Sequence, residues 1–254
     1  MEPVRILRSA GMEPVVFYAN SNIHPAEEYA HRLDTLRAWA AEEELEVVEG
    51  AYDAEAWEAT AGRVGDAAEE RFGVIVNEEG DGAKSDTAEG AEPSEARAAR
   101  EARCRACYRL RFEEAARYAR EHNFDALGTT LSVSPYQYTR IIREELERAC
   151  EREGIRAHFE DYRPFYDEAT RRSREGGMYR QNYCGCRFSD AEAATEREAR
   201  KAARRAEREA EAAAHAEERA AEEAERARNR TEKQAYAAKQ ARKRAILKAL
   251  REQR

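Results

Sequence analysis

Five cysteines occur among 254 residues, at positions 104, 107, 150, 184 and 186. Four of them fall in pairs, "CRAC" ending at Cys107 and "CGC" ending at Cys186, and aromatic and basic residues flank both. A Cys-x-x-Cys at a loop-to-helix transition lets two sulfurs converge, and a helix N-terminus favours thiolates. Such a pair suits zinc, an iron–sulfur cluster or dithiol exchange. Cys-x-Cys is cramped for two zinc ligands but permits a small, strained and therefore labile disulfide. Either pair alone is compatible with incidental thiols. Together, four sulfurs can close one four-cysteine zinc site or handle electrons jointly, and both outcomes require the pairs to meet at one point. Cys150 stands alone at a helix end and reads as a small buried residue.

Little else carries chemistry by spacing. His24, His31, His122, His158 and His215 show no His-x-x-x-His pattern, and His24 reads as a turn residue bordering the site. No Gly-x-Gly-x-x-Gly or phosphate-binding P-loop is present, so no nucleotide cofactor is implied by motif.

Elements must hold the sulfurs together. "PVVFYANSNI" (14–23) has the run of a buried strand, and "HPAEEYAHRLDTLRAWAAEEEL" sets Tyr29, Leu33, Leu36 and Ala40 on one helical face. "EVVEGAY" (46–52) is a second strand, followed by a short helix capped by Asp53 with Trp57 inward. Strand, helix, strand at crossover length is a βαβ unit. Residues 62–95 lose periodicity, are acidic and small, and are expected to be a disordered insertion. The helical pattern returns from residue 97. "DALGTTLSVS" (125–134) is strand-like, Ser134 and Pro135 are expected to open a helix, and "IRAHFEDYR" (155–163) is one more strand. The fold class expected is α/β, a Rossmann-like parallel-sheet core over residues 1–189.

Residues 190–254 differ completely. From 191 onward the composition is almost all Ala, Glu, Arg and Lys, with neither Gly nor Pro, so a helical extension is expected. No sustained heptad seam is present, which favours a single solvated helix of about 90 Å over a coiled coil. Net charge is −8, which taken alone argues against nucleic acid, but the distribution is uneven. Residues 60–100 hold ten acids against five bases, whereas 233–254 hold eight bases against one acid. Mean hydropathy is −0.94. No stretch reaches the ~18 to 20 apolar residues that cross a bilayer, and no signal peptide is visible, so no membrane partner and a cytoplasmic location are expected.

Four segments, "FYANSNIHPAEEYAHRL", "ARCRACYRLRFEEAA", "TTLSVSPYQ" and "DYRPFYDEATRRSREGGMYRQNYCGCRFS", resemble in this order the QueH-type epoxyqueuosine reductases. The resemblance covers residues 4–61 and 97–189. It implies a HUP-like α/β fold and the last step of queuosine synthesis, the two-electron reduction of epoxyqueuosine in a tRNA anticodon loop. It further implies a 4Fe-4S cluster bound through Cys104 and Cys107, an additional iron, and Cys184 with Cys186 as a redox-active pair or as further iron ligands. The family begins with a strand and a Cys-Cys-x-x-Cys motif that this sequence lacks, so an upstream, in-frame extension encoding them is expected.

A tRNA partner fits the interleaved aromatic and basic residues near the CGC. Arg163, Arg171, Arg172, Arg174 and Arg180 are available for phosphates, and Tyr179, Arg180 and Tyr183 for the loop. The basic end (233–254) is expected to add phosphate affinity without touching bound iron. The electron donor is left open. The competing reading is a non-catalytic tRNA-binding module with a structural four-cysteine zinc site, and a general dithiol oxidoreductase ranks behind both.

Overall fold

The structure, a computed structural model, describes residues 2–76 and 94–252, of which 218, 221 and 244–252 by backbone alone. The described chain divides into two compact units, Met1–Glu196 and Arg197–Arg254.

The first unit opens with α1 (Glu2–Ser9), then β1 (Val16–Tyr18), α2 (Ala26–Glu42) and β2 (Val47–Glu49). β1 and β2 pair in parallel with α2 as the crossover, which realises the expected βαβ unit. Tyr29, Leu33 and Ala40 of α2 are buried as the spacing predicts, and Trp39 joins them. The Asp53 carboxylate accepts the Ala56 N–H at 2.8 Å and caps α3 (Ala54–Trp57), leaving Trp57 fully buried. After a wide helical turn at Glu58–Gly62 the chain continues into α4 (Arg63–Phe72).

That helix corrects the expectation of disorder over 62–95. Its buried face is made of Gly65 and Ala68, small residues that give no large-apolar periodicity yet allow close packing. A Cβ at Gly65 would stand 2.3 Å from the Phe188 ring, so glycine is what lets the backbone approach. The rest of the expected insertion, 77–93, lies outside the described residues.

α5 (Glu95–Glu121) is capped by Ser94 and packs on α4 and on α6 (Thr139–Glu153). β3 (Ala126–Gly128) and β4 (Arg156–His158) pair in parallel across α6. Ser134 does not open α6. Its hydroxyl accepts the Tyr136 N–H at 3.3 Å and closes a turn, and the helix starts at Thr139. α7 (Tyr166–Glu175) precedes the CGC loop, and α8 (Arg187–Glu252) follows it.

The described residues are thus mostly helical with small parallel sheets, and the expected single Rossmann-like sheet is not formed. β1–β2 and β3–β4 are separate two-stranded pairs. With no strand joining them among the described residues, α5 spans the gap. Tyr118 stacks on Phe17 of β1 at 4.5 Å, and α5 also packs on β3. The core is correspondingly divided into clusters. One joins α5 and α6 through Tyr108, Phe112, Ile141, Ile142 and Leu146, and buries Cys150 as expected. Another gathers Trp57, Ala61, Cys107, Cys186 and Phe188. No helix among the described residues is long and apolar enough to cross a membrane.

Candidate active site: two cysteine pairs at one point

The CGC loop is seated by residues from the start of the chain. Asn22 Nδ2 and Arg32 Nη1 donate to the Cys184 carbonyl at 3.4 and 3.1 Å. The His24 N–H donates to the Gly185 carbonyl at 2.8 Å, and the Tyr183 hydroxyl donates to the His24 carbonyl at 3.1 Å. Gly185 sits at φ +116°, and a Cβ there would lie 2.8 Å from Ile23 Cγ1 and 3.1 Å from Arg32 Nη1. Both the left-handed conformation and the close approach demand glycine, so Cys-Gly-Cys is a fitted turn.

Within the turn the Cys184 and Cys186 sulfurs stand 3.6 Å apart, and all five cysteines are free thiols. Cys184 is solvent-accessible while Cys186 is buried. The Cys186 S–H, the Ser189 hydroxyl 3.1 Å away and the Arg103 guanidinium hold the Cys184 thiol well below the ordinary range, overriding the crowding of protein around it. Cys186 goes the other way, because its neighbour carries the charge and it is buried. Ionisation is thus favoured at Cys184 and opposed at Cys186.

Cys104 and Cys107 lie well inside α5, ten and thirteen residues beyond the Ser94 cap. This agrees with the helical pattern that returns before them, and no helix N-terminus lowers either thiol. Burial pushes Cys107 up to about 11, with Arg111 and the Trp57 indole N–H opposing it. Burial likewise raises Cys104, against Arg103 and Arg100. Three residues apart on a helix, they share a face. Cys107 packs in the same cluster as Cys186, and Cys104 and Cys107 both feel the charge of Cys184. The two pairs, 77 or more residues apart in sequence, do meet.

Around them is a charged frame that spacing did not reveal. Arg103 is buried, makes a two-pronged bond to Glu192 at 2.7 and 3.0 Å, and places Nη2 3.9 Å from Cys104 Sγ. Its guanidinium lies 5.0 Å from the Phe188 ring centroid. His24 tilts against Trp57 with centroids 5.2 Å apart, and its buried Nε2 makes no hydrogen bond and faces Glu58 Oε1 at 3.9 Å. Glu58 also accepts from Arg187, the residue after Cys186. The sequence signals were the cap at Asp53, which sends Trp57 inward, and the His24–Pro25 entry to α2. Neither indicates contact with the distant CGC loop.

Of the five arginines proposed for phosphates, three are already neutralised. Arg163 is bound to Asp161, Arg171 to Glu168 and Glu175, and Arg172 to Glu168 and Glu2. Tyr179 donates to Glu28 at 2.9 Å and packs edge-on against His31, while Tyr183 is half-buried beneath Arg32.

Among the described residues no group of three or more His, Cys, Asp or Glu side chains is arranged to hold one metal ion. A zinc site of four cysteines is therefore not formed among them. A four-iron cluster takes four thiolates, and the Cys104–Cys107 pair is only two. If the CGC thiols supplied the others they could not also store electrons as a dithiol. The residues described do not by themselves fit a complete cluster.

Comparison with known proteins agrees with the resemblance in the sequence. The family model described as "Epoxyqueuosine reductase QueH" matches residues 1–74 and 67–192. A protein of that name from Dehalococcoides mccartyi is 27% identical over 183 residues, covering 72% of this chain and 81% of the relative. One from Thermotoga maritima is 29% identical over 175 residues, covering 68% and 77%. One from Acinetobacter baylyi is 26% identical over 199 residues, covering 74% of each. The matched region contains both cysteine pairs and ends just inside α8, and the chain belongs to the QueH family.

Proposed function

We propose that this chain is an oxidoreductase that reduces epoxyqueuosine to queuosine in the anticodon loop of tRNA, with Cys184 and Cys186 as its redox-active pair. The relatives' shared name supports the reaction. The observation that carries it into this chain is the pair of sulfurs 3.6 Å apart, one exposed and one buried, against the second cysteine pair.

Removal of an epoxide oxygen takes two electrons and two protons and yields an alkene and water. A dithiol closing to a disulfide supplies both electrons. With Cys184 ionised, Cys186 brings one proton and solvent the other, so epoxide, thiolate, thiol and one proton balance alkene, water and one disulfide. Cys184, accessible and anionic, is the sulfur that meets the substrate. Cys186 holds the second proton and completes the disulfide. The departing oxygen needs an acid, and His24, with a buried, unbonded ring nitrogen facing Glu58, is the group placed to relay a proton. A separate electron donor must reopen the disulfide after each turnover.

Cys104 and Cys107 are assigned to cluster binding, as two of the four ligands a 4Fe-4S centre requires, and an additional iron belongs to the same assignment. When bound, such a group passes single electrons. In this chain burial raises both thiols, and Arg103 beside Cys104 and the Trp57 N–H beside Cys107 offset only part of that rise. No observation favours the non-catalytic zinc module.

The test is a single-turnover reaction under anaerobic conditions with tRNA carrying epoxyqueuosine, read by nucleoside mass spectrometry. Conversion to queuosine is expected with the reduced protein. Cys184→Ser and Cys186→Ser should each lower it at least ~100-fold, the scale expected when a reacting group is removed, with Cys150→Ser unaffected. Full conversion by the double CGC variant would remove the pair from the reaction.

A further inference from the structure

We propose that one face of α8, formed by Arg197, Arg200, Lys201, Arg204 and Arg208, is a docking surface for the phosphodiester backbone of RNA. The family match ends at residue 192, so this face is an addition of this chain to the matched region. The proposal rests on the tRNA substrate proposed above and adds how that RNA is held.

The five cations recur at intervals of three and four and line one open depression. They span ~16 Å along the helix at ~1.5 Å rise per residue. All five residues are exposed. Among the described residues no carboxylate pairs with Arg197, Lys201, Arg204 or Arg208. Elsewhere on the same helix charge is balanced in the ordinary way, Arg205 with Glu209 at 2.8 Å and Arg226 with Glu222 at 3.3 Å. Here the pattern is reversed. Positions 197 and 201, 200 and 204, and 204 and 208 set like charges one turn apart, an arrangement that weakens an isolated helix. A bound polyanion turns that repulsion into attraction.

The chemistry favours nucleic acid over a membrane. A helix lying on a lipid surface needs a face of large apolar side chains opposite its cations. Opposite this face stand Ala199, Ala202, Ala203, Ala206 and Ala210, all exposed, with nothing to insert. Four of the five cations are arginines, whose planar guanidinium grips phosphate oxygens two at a time.

The experiment uses the full chain and an unmodified tRNA transcript as probe, with binding followed by anisotropy from ~50 to ~300 mM salt. The variant is Arg197→Gln, Lys201→Gln, Arg204→Gln and Arg208→Gln together, with far-UV circular dichroism confirming helix content. A loss of at least ~10-fold at ~100 mM salt is expected, with the log–log salt slope shallower by about 3 for four lost phosphate contacts. The same four positions set to lysine should recover most of the affinity. Unchanged affinity in the glutamine variant overturns the proposal. So does binding lost on deleting 233–254 but not in the glutamine variant, or capture by phosphatidylserine vesicles in place of tRNA. Because the transcript carries no epoxide, its binding is read apart from turnover. The expected loss of binding in the glutamine variant, together with no conversion of tRNA carrying epoxyqueuosine, would sink the reductase reading and leave this surface standing. Turnover without any effect of the four substitutions would do the reverse.

Discussion

At Cys184 and Cys186 the same side chain is pushed in opposite directions by position alone. The exposed sulfur has a hydroxyl, a thiol and a guanidinium to hold its charge, while the buried one has a charged neighbour. Alkylation of the reduced native protein by iodoacetamide should therefore label Cys184 first, with Cys107 and Cys150, both buried, labelled only after unfolding. Peptide mass spectrometry reads the order, and labelling of Cys107 ahead of Cys184 would contradict the geometry. The glycine between them is as constrained as the sulfurs. Gly185→Ala puts a Cβ into Ile23 and Arg32 at a left-handed φ, which should cost about 1–3 kcal/mol and lower reductase turnover with it. Equilibrium denaturation and turnover measured together check this, since a loss of activity at wild-type stability would mean that the loop, not the fold, was disturbed.

At the scale of elements, ion pairs tie the helices that present the sulfurs. Glu145 of α6 is buried and accepts from Arg105 and Arg109 of α5 and from Arg148. Burial raises its carboxyl, but Arg109 and Arg105 together pull it below the ordinary value of 4.5. A carboxyl lowered by folding stabilises the native state above about pH 4.5. That contribution is lost as pH falls further, through the lowered native value. Glu145→Gln should therefore destabilise the protein near neutral pH and flatten the fall in stability below pH ~5. Denaturation midpoints at several pH values give the comparison, and an unchanged acid slope would exclude the clamp. The buried Arg103–Glu192 pair joins α5 to the first turns of α8. Removing one partner, as in Glu192→Gln, strands a buried charge beside the thiols and should cost about 3–5 kcal/mol.

These clamps also explain what the sequence made legible. α2, β1, β2 and the Asp53 cap were readable because local patterning and capping are short-range. The two thiol pairs were readable as motifs. α4 was not, because Gly65 and Ala68 pack through small size and leave no apolar stripe. The frame of the site was not readable either. Asn22 and Arg32 reach Cys184 across 162 and 152 residues, and Arg187 reaches Glu58 across 129. No spacing rule spans such separations. The single sheet was expected from the alternation of strands and helices, but alternation specifies crossovers and not which pairs share edges.

For the whole molecule, the boundary that matters is between residues that serve the core and residues that serve only the helix. The four hydrophobic clusters draw their last member at Phe188, and the last buried charge in contact with α5 is Glu192, with Glu196 reaching Arg100 at 3.8 Å. Beyond Glu196 no described side chain of the second unit belongs to these clusters, and those side chains are almost all exposed. A chain ending after Glu196 should therefore keep one cooperative thermal transition, its midpoint within ~2 °C of the full chain, because burial and not helix propensity supplies most of a domain's stability. A chain ending after Cys186 loses Phe188 from the Trp57 cluster and Glu192 from Arg103, leaving a cavity and an unpaired buried cation at once. It should unfold or melt many degrees lower. Calorimetry on the two truncations separates these outcomes. If both melt alike, the first turns of α8 are not what closes the site. If the Glu196 truncation also collapses, the second unit takes part in folding and its composition of Ala, Glu, Arg and Lys has been misread as solvated helix.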